Sequence, residues 1–353
     1  MVEKYKYIII IFFQLCYTGT NYIDIITTND LHGFIDEQTA NFINPHHPPH
    51  IIGGSGFIKY VNEIKNESDN NLLILDAGNF FQGHPVGIAD SGRTIVDWMN
   101  KVGYQATVPG NHDFLFGVNN LIELSKRADF DFLASNLYFS NSNDLVFKPY
   151  EIYNINGVNV GVIGIVNSNL QEIVLDKNLK EVEIHNPIQA LNRWIPTIKS
   201  NDADIIIILT SLGVPWDRED AYTDFIKKIN NDIADDISFT NKESSNFPLL
   251  KNALQLGYYS SEADIIISGG ISKGYSTPWY DPNSHVYIFQ NYGNGTSFGH
   301  FKIIVDEVSK LFTGFDYEVQ NSISQTLFLN DFDFDESAYT WIKNKSNSAI
   351  ENK

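Results

Sequence analysis

Cysteine is almost missing from this 353-residue chain, where Cys16 is the one thiol. A chain cleaved beyond that residue would carry neither a disulfide nor thiol chemistry. Positive charge is scarce too: 24 Lys and Arg face 43 Asp and Glu, for a formal net charge of −19. That balance argues against nucleic acid or an anionic membrane as a partner, because both favour basic surfaces. An anionic substrate would need a strong local positive charge, such as a metal ion. The N-terminal apolar run, residues 7–16 of "MVEKYKYIIIIFFQLCYTGT", is too short to span a bilayer comfortably. Lys4 and Lys6 precede it, so residues 1–20 read as a secretory signal peptide, with a buried first strand as the other reading. The expectation is a secreted chain with no transmembrane anchor in its mature form.

What the chain does have is alternation. Strand-like runs include "YIDIITT", "NLLILDAG", "VNVGVIGIV", "DADIIIILT" and "EADIIISGG". Amphipathic stretches separate the first of these, such as "GFIKYVNEIKNE", where Phe57, Tyr60, Val61 and Ile64 recur at helical spacing. Near-continuous Ile, Leu and Val runs indicate strands buried on both faces, and strand–helix alternation indicates parallel pairing. Later runs, "HVYIFQ", "HFKIIVD" and "LFTGFDYEVQ", follow one another through short turns and predict an antiparallel meander. The fold class is therefore α/β, a two-sheet β-sandwich flanked by helices. One domain is expected over 21–336, with a polar tail, helical at most, over 337–353.

In such sheets, ligand sites lie in the loops at the carboxyl ends of the strands. Read in order, those ends are "TTNDLHG", "LDAGNFFQG", "VPGNHDF", "LTSLG" and "SGGISKG". Together with "GGSGFIKYVNEIK", "SGRTIVDWMNKVGYQATVPGNHDF" and "VYIFQNYGNGTSFGHFKIIVD", this set resembles the metal-binding domain of the 5′-nucleotidase family, within the calcineurin-like phosphoesterases. The resemblance covers nearly the whole chain beyond the signal. It implies a calcineurin-like fold and two divalent cations that activate a water and clamp a phosphate. It also implies which residues should hold them.

Carried over residue by residue, the set is incomplete. Asp30 and His32 match the family's Asp-x-His, and Asn111 and His112 match its Asn ligand and catalytic His. The bridging Asp is Asn79, the next His is Ser211, and the two His of Gly-Gly-His-x-His are Ile271 and Lys273. The Asp that orients the catalytic His is Leu115. An amide cannot offset the repulsion between two cations as a carboxylate does, and Lys273 adds a like charge. The expectation is a pseudoenzyme in which Asp30, His32, Asn79, Asn111 and His112 are remnants, with no cofactor bound or at most one divalent cation, Mn, Zn or Mg. A plainer reading of the retained residues is that they satisfy backbone groups in their turns.

Other expectations concern the surroundings. Lys273 is expected to replace the metal's charge by pairing with Asp30, the alternative being an outward, solvated lysine. Asp113 is not expected to orient His112, because neighbours in an extended loop point apart. His46, His47 and His50 in "NPHHPPH" read as a solvated loop or, less simply, as substitute ligands. Residues 217–262 form an inserted segment in which Tyr222, Phe225, Ile226 and Ile229 share a helical face. It is either packed on the sheet or a lid or protein-partner surface over the rim. The family's nucleotide-binding second domain is expected to be absent. Three functions stay open: a secreted binding or scaffold protein, an active phosphoesterase with an altered site, or an inactive partner of an active relative.

Overall fold

The computed structural model describes residues 19–236, 247–319 and 321–351. Residues 1–18 of the expected signal peptide, Cys16 among them, lie outside the described residues, while Thr20 already opens a strand. The middle of the inserted segment also lies outside them.

Two mixed sheets lie face to face. The first orders its strands as Phe312–Tyr317, Phe298–Asp306, Thr20–Thr28, Leu72–Asp76, Ala106–Thr107 and Asp131–Phe132, with Ser324–Gln325 added against Phe298–Asp306. The second runs Trp279–Tyr280, Tyr287–Phe289, Ile265–Ser268, Ile205–Thr210, Val158–Ile165 and Tyr150–Ile155. The second is parallel in the middle and antiparallel at both edges, whereas the first is antiparallel on the Phe312–Tyr317 side and parallel from Thr20–Thr28 out to its other edge, Asp131–Phe132. This is the expected two-sheet α/β architecture.

The Ile-rich strands explain themselves by period. In Ile205–Thr210, Ile205, Ile207 and Leu209 enter the core between the sheets, while Ile206 and Ile208 face the helices outside. Period two with both faces apolar requires a strand covered on both sides. The outer cover is built by the helices Pro187–Ser200, Arg218–Asp236 and Ala253–Tyr258. Between the sheets, Phe289 stacks on Phe301 with ring centroids 3.9 Å apart.

Two expectations change here. The predicted meander is divided: Tyr287–Phe289 pairs in parallel with Ile265–Ser268 in the second sheet, and only the later two strands form an antiparallel hairpin in the first. The turn through Gly293 and Gly295 carries the chain across the sandwich, with Gly295 at φ +62° against the Phe34 carbonyl. The second change is at the C-terminal end. The tail is helical, as the sequence allowed, but the helix Glu336–Glu351 packs on the domain, burying Ala338, Ile342 and Ala349 and tying Lys343 to Asp36 at 2.7 Å.

Because the central strands are parallel, Thr28, Asp76, Thr107, Thr210 and Ser268 all end on one rim. The loops read as functional in the sequence begin there.

Candidate functional site

Asp30 is the centre of the rim, and only 1% of it is exposed, so its carboxylate must be satisfied from within. The donors are three neighbours. Asn79 Nδ2 donates to Oδ1 at 2.7 Å, Asn29 Nδ2 to Oδ2 at 2.9 Å, and the Gly270 N–H reaches both oxygens at 3.0 Å. Asp30, His32 and Asn79 all have positive φ, at 50°, 49° and 60°. Such backbone is costly outside glycine and persists only where surroundings fix it. Here the Asp30 N–H donates to Gly78 at 2.8 Å, and the His32 N–H donates to Asn79 at 2.9 Å.

Asn79 is used at both ends of its side chain. While Nδ2 serves Asp30, Oδ1 accepts the backbone N–H of His112 at 2.9 Å. The position that the resemblance assigns to a bridging carboxylate is thus an amide joining two loops.

The two histidines meet through Gln82. His32 Nδ1 lies 2.8 Å from the Gln82 backbone oxygen, which can only accept, so Nδ1 carries the proton. That leaves Nε2 facing Asp30 Oδ1 at 3.9 Å. The Gln82 side-chain oxygen contacts Nδ1 of His112. The imidazoles of His32 and His112 sit edge to face, with centroids 4.6 Å apart. Burial lowers the pKa of His112, and the neighbouring His32 adds to this against the pull of Asp30. Both histidines are therefore held with their Nδ1 atoms occupied. Gln82 went unnoticed in the sequence, where it reads only as a loop residue in "NFFQG".

Asp113 does not orient His112, as expected, and has another task. Its carboxylate accepts from the backbone N–H groups of Asn79 at 2.7 Å, Phe80 at 2.9 Å and Gly110 at 2.8 Å. It staples one rim loop to the next. Complete burial pushes its pKa up to about 8 against those donors. Asp76 below it accepts from the hydroxyls of Thr28 at 2.7 Å and Thr107 at 2.9 Å, and burial takes it to about 7.

The remaining positions do not converge on Asp30. Ser211 is fully buried, donating to the Pro109 carbonyl at 3.3 Å and accepting from the Asn167 N–H at 3.2 Å. Ile271 packs its side chain against Gly213. Leu115 packs on the main core, and Asn111 opens the 3-10 turn Asn111–Phe116, half-buried.

Lys273 overturns the expected pairing with Asp30. Its Nζ lies 4.8 Å from the ring centroid of Trp216 and 5.7 Å from those of Tyr275 and Tyr292. The chain turns away after Gly270 (φ +98°), where the Lys273 N–H closes back on the Ile271 carbonyl at 2.7 Å. With Asp30 already supplied by neutral donors, three aromatic faces are the better place for the ammonium.

The inserted segment is packed where it is described. Tyr222, Phe225 and Ile226 lie against the second sheet's outer cluster, and Tyr222 meets Trp279 at 5.2 Å between centroids. His46 and His47 are exposed, their backbone N–H groups held by Asn44 Oδ1.

A sandwich with this strand order and these rim loops defines a domain of the metallophosphoesterase class. The chain belongs to the calcineurin-like phosphoesterase family, whose model matches residues 23–271. Members of this family are metal-dependent phosphoesterases. Protein UshA of Yersinia enterocolitica is 27% identical over 192 residues, which cover 54% of this chain and 34% of that protein. The chain thus spans about a third of such curated relatives. Among solved structures, a 5′-nucleotidase precursor from Thermus thermophilus superposes with a TM-score of 0.70 at 18% identity, covering 94% of this chain and 59% of that one. The calcineurin-like phosphoesterase YfkN from Bacillus subtilis gives 0.69 at 20% identity, covering 95% and 99%. These two likenesses establish the fold.

Proposed function

We propose that this chain is a secreted protein of the 5′-nucleotidase-like branch that has kept the metallophosphoesterase fold and serves in binding rather than hydrolysis. The observation that carries this reading is the hydrogen bond from Asn79 Nδ2 to Asp30 Oδ1. A pair of cations needs an anionic oxygen between them, and here an N–H occupies one of the lone pairs they would share. Ser211 and Ile271 offer nothing toward that point, and Lys273 is turned away. The donor set does not fit a two-cation centre, so no hydrolytic step is derived through one. Secretion rests on the N-terminal Lys-flanked apolar run alone.

A second reading has one observation in its favour. His32 presents Nε2 toward Asp30 with Nδ1 fixed by Gln82, which is how a ligating histidine is oriented by its outer partner. Those two residues could hold a single weakly bound cation in an active phosphoesterase with an altered site. A third role, as an inactive partner of an active relative, would use the inserted segment, beside which Trp216 is 67% exposed. Hydrolysis of an aryl phosphate and of AMP, with added Mn²⁺ or Zn²⁺, separates these readings. The binding role predicts no turnover above the buffer blank. Turnover that vanishes in His112→Ala would establish the second reading instead.

A further inference from the structure

On the same first strand, four residues before Thr28 and therefore roughly 13 Å from the rim, a second group of metal-ligating side chains gathers. Alternation along three adjacent strands assembles it. Asp24 pairs in register with Lys302, Ile26 with His300, and Lys302 with Asp316, so these side chains share the sheet face opposite Ile23, Ile25, Phe301 and Ile303. Glu318 follows Asp316 by two residues and joins them. One ligand atom each from Asp24, His300 and Glu318 lies within 4.8 Å of the others, and the first two residues are buried.

We propose that Asp24, His300 and Glu318 form a site for one divalent transition-metal cation, Zn²⁺ or Mn²⁺, separate from the rim. His300 Nε2 stands 2.8 Å from Asp24 Oδ1, close to the roughly 3 Å edge between adjacent ligands around an ion with 2.0–2.1 Å bonds. His300 Nδ1 lies 2.7 Å from the Tyr60 hydroxyl, a partner that can either donate or accept. Without metal, Tyr60 donates to Nδ1 and Nε2–H donates to Asp24. With metal, the imidazole takes its other tautomer, donating from Nδ1 to Tyr60 and giving the Nε2 lone pair to the cation. Neither state leaves a buried ring nitrogen without a partner. An imidazole with two carboxylates suits Zn²⁺ or Mn²⁺ better than Mg²⁺ or Ca²⁺.

Lys302 is the competitor. Its Nζ sits 2.7 Å from Glu318 Oε2 and 3.8 Å from Asp24 Oδ1, standing in for a cation. It is a third exposed and borders a cleft also lined by Glu67, Asp69 and Asp316, where its charge can be received once a dication displaces it. The surroundings carry more negative than positive charge even with the lysine present.

The test is calorimetric titration of Zn²⁺, and then Mn²⁺, into the full chain and its variants. One equivalent should bind. Glu318→Gln should weaken binding at least tenfold, and Lys302→Met should tighten it by a similar factor. Removing histidines elsewhere, as His32→Ala and as His46→Ala with His47→Ala and His50→Ala, should leave that equivalent unchanged. If Glu318→Gln does not fold, Lys302→Met alone decides. No saturable binding in either the parent or Lys302→Met, or binding indifferent to Glu318→Gln, overturns the proposal.

Discussion

The side-chain amide of Asn79 donates to the carboxylate of Asp30 at 2.7 Å. Asp30 is nearly inaccessible to water, so this bond and those from Asn29 and Gly270 are what make its burial tolerable. Replacing Asn79 by a carboxylate would set two buried anions against each other. Asn79→Asp is therefore expected to lower stability by about 2–4 kcal/mol at neutral pH in the presence of a chelator. Urea denaturation reads this directly, and a variant as stable as the parent would refute it. The same variant is expected to gain no phosphatase activity, because Ser211, Ile271 and Lys273 remain.

Lys273 makes ring contacts and does not pair with Asp30. Lys273→Met should cost under about 2 kcal/mol, the range of a cation held by aromatic faces. Adding Asp30→Asn should change stability independently, within about 0.5 kcal/mol of the sum of the single effects. A clear departure from additivity in a double-mutant cycle would restore the ion pair.

The contrast between the two sites shows what a sequence can carry. The sheets were legible because "DADIIIILT" and "EADIIISGG" can bury both faces only as interior strands, and the helix containing "GFIKYVNEIKNE" because its apolar residues repeat at 3.6. The rim positions of Asp30, His32, Asn79 and His112 were legible from loop order. Partnerships were not. Which way Lys273 leaves its loop depends on a turn at Gly270 and on rings from Trp216 and Tyr292, distant in sequence. Gln82 and Asp113 act by filling lone pairs and N–H groups of other loops, and no local pattern announces that. The Asp24, His300 and Glu318 cluster needs the register of three strands, two of which are nearly 300 residues from the first.

The helix Glu336–Glu351 is held by small and medium apolar side chains, among them Ile342 at 2% exposure. Truncating a buried isoleucine costs its transfer energy and leaves a cavity. Ile342→Ala should destabilise the whole domain by about 2–4 kcal/mol in a single urea transition. A separate early transition, or no change, would mean the helix is not part of the cooperative unit.

Asp76 makes the fold sensitive to pH. Its usual pKa of 3.8 is raised by burial to about 7 in the folded state. A raised folded value means that the stability tied to the protonated form is complete below about pH 4, declines as pH climbs toward 7, and is gone above it. Melting temperature should therefore fall between about pH 4 and pH 7, and Asp76→Asn should reduce that slope to the part left by Asp113, whose pKa burial raises to about 8. A slope unchanged in Asp76→Asn would assign the effect to another group.

At the position that the resemblance assigns to a bridging carboxylate, an amide hydrogen bond joins Asn79 to Asp30. A crystal grown without chelator, soaked in Mn²⁺ and measured at a wavelength where manganese scatters anomalously, tests it most directly. No anomalous peak is expected between Asp30 and Asn79, with Nδ2 still about 2.7 Å from Oδ1. A peak bonded to both side chains would contradict this expectation.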